Sequence, residues 1–129
     1  MVKNGGAGIV VALILVTVTY LIADATSGPL LVTQPGGDTP QAVPLAAALG
    51  FTAIGGAVGI GLAHVMNRLG RTRTTFIIAT AVALVLYGIM PFTAAETTST
   101  AIWLNVMHVA AAVPIVGLLA RSLPEATKP

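Results

Sequence analysis

The residues with the most chemical capacity in this sequence are two histidines, His64 and His108. Asn105 stands three positions before His108, so the two polar side chains share one face if the segment is helical. The surrounding stretch, "TAIWLNVMHVAAAVPIV", is otherwise largely apolar. A polar or ionisable side chain inside a membrane-spanning helix is costly and is a candidate functional site by default. We therefore predict an intramembrane polar site at Asn105 and His108.

This site needs hydrogen-bond partners, and the sequence offers some at similar depth. Counted along their helices, Thr17 and Thr52 lie at about the depth of His108. A charged imidazolium is expensive in hydrocarbon, whereas hydrogen bonds between helices are favourable there. We expect a neutral His108 that is directed into the helix bundle and bonded to Thr17, to Thr52, to Asn105 or to a tyrosine.

The two histidines are poorly placed to share a haem. At about 1.5 Å per residue, His64 lies about 6 Å from Arg68 along the helix axis, and His108 lies about 20 Å from Arg121. A haem held by two histidines needs both at one depth. Cysteine is absent from the sequence, and no carboxylate or familiar nucleophile motif lies inside an apolar run. We expect no metal, no cofactor and no enzymatic activity.

The composition places the chain in a lipid bilayer. Its residues are 56% hydrophobic and only 8% charged, with a mean hydropathy of +0.95. Soluble domains carry about 25% charged residues. The six lysines and arginines are too few and too scattered for a nucleic-acid surface. The expected partners are therefore the bilayer and, within it, another membrane protein or a second copy of the chain.

Four apolar runs are long enough, or nearly so, to cross a membrane. Because backbone groups in hydrocarbon must bond internally and the runs lack period-2 alternation, we predict helices. Their expected bounds are about 7–24, 41–66, 74–92 and 95–121, with an outer loop at 25–40. The predicted fold is all-α: a polytopic four-helix transmembrane bundle that forms a single domain over residues 1–129. An alternative is that the first run is a cleaved secretory signal, with a small-residue site at Ala23-Asp24-Ala25.

The orientation follows from the basic residues, because short loops rich in lysine and arginine remain cytoplasmic. Arg68, Arg71 and Arg73 lie between the second and third runs, and Arg121 follows the fourth. The other two loops contain neither lysine nor arginine. Both termini are therefore expected in the cytoplasm. An arginine-rich balance and abundant alanine, glycine, valine and threonine favour a bacterial gene, and so a bacterial plasma membrane.

Small residues and two helix signals predict local geometry. Gly55, Gly59 and Ala63 form a stripe at four-residue spacing that suits close helix contact. Pro114 lacks an N–H, so we expect it to bend the fourth helix. Thr93 and Glu96 match a capping box that would start the fourth helix near residue 95.

Several segments together resemble one known family. These are "GPLLV", "NRLGRTRTTF" and "GIMPFTAAETTSTAIWLNVMHVAAAVPIVGLLARSLP", in which Met107-His108, Pro114 and Ala120-Arg121 are the most distinctive. They are similar to a family of small four-helix integral membrane proteins from bacteria, of actinobacterial type, catalogued only as a domain of unknown function. The resemblance spans nearly the whole chain and implies a fold and a membrane location. It implies no activity and assigns no role to any residue.

Two kinds of function remain open. The first is a structural or accessory membrane protein that packs against a partner. The second is a small transporter or channel that uses His108 and Asn105. Four-helix exporters of similar length have a carboxylate in their first span, whereas the only acid near this one, Asp24, stands at its outer end. A continuous polar cavity through Asn105 and His108 would favour transport, and dry packing would favour the accessory role.

Overall fold

The computed structural model describes residues 1–125, and this part of the chain is dominated by four helices. They are α1 (Val2–Ser27), α2 (Leu45–Arg68), α3 (Arg73–Ala94) and α4 (Thr98–Ala120). All four are long and apolar enough to span a membrane. Two short strands, β1 (Leu31–Val32) and β2 (Gln41–Ala42), pair antiparallel in the loop between α1 and α2. The predicted all-helical class with four candidate spans is confirmed.

Several helix boundaries differ from the predicted ones. Helix α1 begins at Val2 and not near residue 7, because the Gly5 N–H already donates to the Met1 carbonyl at 2.9 Å. Hydropathy marks only the part of a helix inside hydrocarbon, and regular hydrogen bonding continues beyond it. Helix α2 begins at Leu45 and not near residue 41, because Gln41–Ala42 pairs with β1 and Pro44 is the N-cap.

The predicted capping box at the start of the fourth helix is wrong. The Thr93 hydroxyl donates to the Met90 carbonyl within α3, and Glu96 lies outside both helices. The observed N-cap is Thr97, whose hydroxyl oxygen accepts the Thr100 N–H at 3.1 Å. Glu96 is held instead by β1, because its N–H donates to the Leu31 carbonyl at 3.1 Å. A contact between distant segments therefore overrides the local capping pattern.

Helix α4 is the centre of the bundle. It packs against α1 most extensively and against α3 and α2 as well, and α1 also packs against α2. The contacts of α3 with other helices are almost entirely with α4. One stripe of α3 is shielded along its length, from Arg73 to Ala94, and between these ends it consists of Phe76, Thr80, Leu84, Gly88 and Pro91. Helices α1, α2 and α4 thus form a three-helix unit, and α3 lies along one side of α4.

One end of the bundle, called here the capped end, is covered by the loop between α1 and α2. Strand β1 pairs with β2 on one edge, and on the other it bridges from Val32 to Ala95 in the turn between α3 and α4. Leu30 is 1% exposed beneath this cover. The Tyr20 hydroxyl donates to the Val43 carbonyl, and Trp103 Nε1 donates to Ser27 Oγ. The capped end is therefore a hydrogen-bonded lid that joins all four helices.

The opposite end, called here the basic end, holds the start of α1, the end of α4 and the turn between α2 and α3. The Asn4 side chain donates to Ser122 Oγ at 2.8 Å, which ties the start of α1 to the end of α4. Arg73 Nε donates to the Ala120 carbonyl at 2.9 Å, and its guanidinium pairs with Glu125 at 2.9 Å. Arg73 therefore fastens the start of α3 to the C-terminal segment.

The interior contains two apolar clusters. The cluster towards the basic end contains Ala12, Ala63, Phe76, Ile115, Leu119, Ala120 and Leu123. The cluster towards the capped end contains Val16, Ala23, Leu30 and Met107. Among the described residues, Thr52 and Thr100 are the only buried polar side chains, and both hydroxyls are hydrogen-bonded. The helix interfaces are therefore packed almost entirely by apolar side chains.

Candidate functional site

The polar pair of α4 lies on the wall of an open groove between α3 and α4. The groove has a volume of about 440 Å³. Its walls carry Leu84, Val85, Gly88, Ile89 and Phe92 from α3, and Asn105, His108 and Val109 from α4. Because all other lining residues are apolar or glycine, Asn105 and His108 are its only polar side chains. This groove, called the α3–α4 groove below, is the candidate site.

The two helices come very close at one point of this groove. The Asn105 amide nitrogen donates to the Ala101 carbonyl at 3.0 Å, which turns its oxygen towards α3. A Cβ atom at Gly88 would stand 2.8 Å from that oxygen, closer than any real contact. Glycine at position 88 therefore lets α3 pass directly over Asn105, and a larger residue would require the Asn105 side chain to move. The only signal of Gly88 in the sequence is a glycine inside an apolar run, which does not predict this contact.

His108 lies one turn deeper on the same side of α4, and its side chain is exposed and not directed into the core. The predicted inward orientation is therefore wrong. Met107, its neighbour in sequence, is 5% exposed and takes the core position. Helix α1 packs against the side of α4 that carries Met107, because Met107 and Val16 belong to the same buried cluster. His108 therefore lies outside this contact.

The predicted bonds from His108 to threonine are absent as well. The Thr17 hydroxyl donates to the Leu13 carbonyl at 2.7 Å, and the Thr52 hydroxyl donates to the Ala48 carbonyl at 2.8 Å. Each threonine hydroxyl thus bonds to the carbonyl four residues earlier in its own helix, and it needs no partner from another helix. No residue among 1–125 forms a hydrogen bond with the His108 imidazole.

The three small residues predicted to pack together on α2 do not share one environment. Ala63 is fully buried, and a Cβ at Gly59 would meet Leu119 at ordinary contact distance. Gly55 is exposed and faces none of the described atoms within 4 Å, so it makes no close helix contact within residues 1–125. Gly56, and not Gly55, makes the close contact with α1. A Cβ at Gly56 would collide with the Ile9 side chain. The packed stripe follows the 3.6-residue period through Thr52, Gly56, Gly59 and Ala63 and does not keep a strict four-residue spacing.

Pro114 lies where α4 crosses α1. Helix α4 continues through it to Ala120, and the predicted bend stays a prediction. Gly8 of α1 sits directly against this part of α4, because a Cβ at Gly8 would stand 3.0 Å from the Pro114 carbonyl oxygen and 2.9 Å from the Ile115 Cα. The sequence pattern does not predict this role of Gly8, because its partner lies more than a hundred residues away along the chain.

The donor set of the α3–α4 groove defines its chemistry. It offers one imidazole, which can both donate and accept a hydrogen bond when neutral, and one amide. Protein zinc sites use three or four ligands, so this set is too small for one. The arrangement can bind a hydrogen-bonding group that reaches it through the membrane, and the imidazole can exchange a proton.

Comparison with known proteins adds a family. No curated protein and no solved structure matches the chain. A family model described as a family of unknown function, DUF6069, matches residues 1–125, which is nearly the whole chain. This span includes all four helices, both strands and the α3–α4 groove. The chain therefore belongs to the DUF6069 family.

Proposed function

We propose that this protein is an accessory component of a membrane assembly, and that it binds a transmembrane helix of another protein in the α3–α4 groove. The observation that carries the proposal is the placement of the polar residues. The interior is packed with apolar side chains, whereas Asn105 and His108 lie on a groove at the surface of the bundle. Polar groups at such a surface favour a partner that hydrogen-bonds to them.

The energetics support this reading. An imidazole that faces hydrocarbon gives up the hydrogen bonds that it has in water, and the described residues return none to it. A partner helix that brings a hydroxyl or amide to His108 would recover about 0.6 to 2 kcal/mol per bond. The open groove beside the close crossing at Gly88 leaves room for that side chain.

Photo-crosslinking in native membranes tests the partner. We expect a photoreactive amino acid at Val109, on the groove wall, to give one discrete product with another membrane protein. The same probe at Val58, which is 65% exposed on α2, should give none. The Val109 product should survive His108→Gln, which keeps a hydrogen-bonding side chain, and should be lost with His108→Leu. Lipid adducts alone at both positions would refute the proposal, and a product between two copies of this chain would replace the accessory role by self-assembly.

Transport through a path at His108 is the alternative, and one observation favours it. Because α3 is held to the other helices along a single stripe, it is the helix best able to move away from Asn105 and His108. Coupling to protons would require His108 to titrate, and glutamine cannot. Loss of the protein's cellular role in His108→Gln, with the crosslink retained, would therefore favour transport over the accessory role.

We further propose that the protein resides in a bacterial plasma membrane with both termini in the cytoplasm. The proposal rests on the basic residues, all of which within 1–125 lie at the basic end. The hydrogen bonds of Asn4 to Ser122 and of Arg73 to Ala120 support it, because they hold the starts of α1 and α3 and the end of α4 together at one end.

Reporter insertions test this orientation. A reporter placed after Arg73 should be active in the cytoplasm, and one placed after Pro35, in the loop at the capped end, should be active outside. An insertion of the same reporter after Asp38 serves as a second outer position. Equal signals from the two ends would contradict the orientation.

A further inference from the structure

The basic end carries a feature that the binding of a partner helix in the α3–α4 groove does not use. Five basic residues and one glutamate of the described chain lie there. Arg73 is occupied by the Ala120 carbonyl and by Glu125. The other cations of the described chain are exposed and pair with no carboxylate of residues 1–125: Lys3, Arg68, Arg71 and Arg121.

These four cations lie around one end of the bundle because of how the helices are connected. Lys3 stands in the first turn of α1, Arg68 ends α2, Arg71 lies in the turn before α3, and Arg121 follows α4. The only carboxylate of the described chain at this end, Glu125, is already paired with Arg73. Its other acids, Asp24, Asp38 and Glu96, belong to the capped end. Within residues 1–125, the basic end therefore presents four cations without a paired carboxylate at the edge of the apolar helices.

We propose that the basic end binds the headgroups of anionic phospholipids through Lys3, Arg68, Arg71 and Arg121. Charge complementarity identifies this occupant, because the four cations lie where the apolar spans end and the headgroups of one leaflet begin. Each lysine or arginine near an anionic membrane surface strengthens the attraction to that surface by a factor of about five in the binding constant. Arg73 takes no part, because its guanidinium serves the C-terminal segment.

The test uses the full-length protein in vesicles that contain a trace of photoactivatable phosphatidylglycerol or photoactivatable phosphatidylcholine, with the label in the headgroup. We expect the anionic lipid to crosslink at least about threefold more than the zwitterionic one, at peptides from the basic end. Raising NaCl from 0.05 to 0.5 M should remove most of this excess, because salt screens exposed charges. The triple variant Arg68→Gln/Arg71→Gln/Arg121→Gln should lose the excess, and Arg121→Gln alone should lose part of it.

Controls separate this surface from other causes. Asp38→Asn changes an exposed charge at the capped end and should leave the excess at the basic end unchanged. The triple variant should unfold like the parent in phosphatidylcholine. If it does not, the salt dependence of the parent's excess crosslinking tests the proposal without a substitution. Equal crosslinking of the two lipids would overturn the proposal. So would loss of the excess on adding inorganic phosphate at constant ionic strength, because the surface would then bind a soluble anion.

Discussion

Replacing Gly8 with leucine is expected to separate α1 from α4 and to abolish the folded state of the purified protein. A Cβ at this position would stand 2.9 Å from the Ile115 Cα and 3.0 Å from the Pro114 carbonyl oxygen. Both of these atoms belong to the backbone, so no side-chain rotation relieves the collision. The contact between α1 and α4 is the most extensive helix contact of the bundle. Its loss therefore removes the main support of the three-helix unit.

The measurement is unfolding by titration with SDS in mixed micelles. Overpacking in a well-packed interface costs about 1 to 3 kcal/mol and more where the backbone must shift, so Gly8→Ala should already destabilise measurably. Gly6 provides a matched control, because it lies in the same helix and a Cβ there would meet no described atom within 4 Å. Gly6→Leu should unfold like the parent. Similar behaviour of the two leucine variants would show that α1 does not cross α4 at Gly8.

Replacing Phe76 with alanine is expected to destabilise the basic end by about 3 kcal/mol, because it leaves a cavity in a packed cluster. Phe76 is 0% exposed, and it is the largest side chain in the cluster with Leu119 and Leu123. It is also the residue through which α3 enters the core that α1, α2 and α4 share. Helix α3 has few other contacts of this kind, so the loss should weaken its attachment first.

Phe51 is the matched control, because it is the same residue type on α2 and is 75% exposed. Phe51→Ala should change the unfolding free energy by less than about 0.5 kcal/mol. Separation of α3 can also be measured directly, with one cysteine introduced in α3 and one in α4 at the basic end. Disulfide formation between them should be slower in Phe76→Ala than in the parent. Equal effects of Phe76→Ala and Phe51→Ala would show that α3 is not anchored through Phe76.

The predicted site illustrates what helix geometry conveys and what it omits. The three-residue spacing correctly places Asn105 and His108 on one side of α4, and both line the same groove. The choice of which side faces the core was wrong, because the capped-end cluster selects Met107. On a helix whose positions are nearly all apolar, two polar residues do not reveal whether the core or the membrane lies beside them.

The sequence by itself determined the number and character of the helices. A segment that crosses hydrocarbon must satisfy its own backbone hydrogen bonds, so length and hydropathy are sufficient to predict each span. The gathering of basic residues at one end is equally a property of the order of residues along the chain. Because helices of similar length alternate in direction, Lys3, Arg68 and Arg121 come together whatever the packing.

Only the tertiary structure decided which faces meet. In a membrane both the buried and the exposed sides of a helix are apolar, so hydrophobic periodicity does not mark the interface. Exposed Phe51 and Val58 are as apolar as buried Phe76, and exposed Gly55 differs from buried Gly56 only in its partner. Contacts over long sequence distances make the distinction, as where Ile9 fills the space that Gly56 leaves and β1 holds Glu96 away from the start of α4.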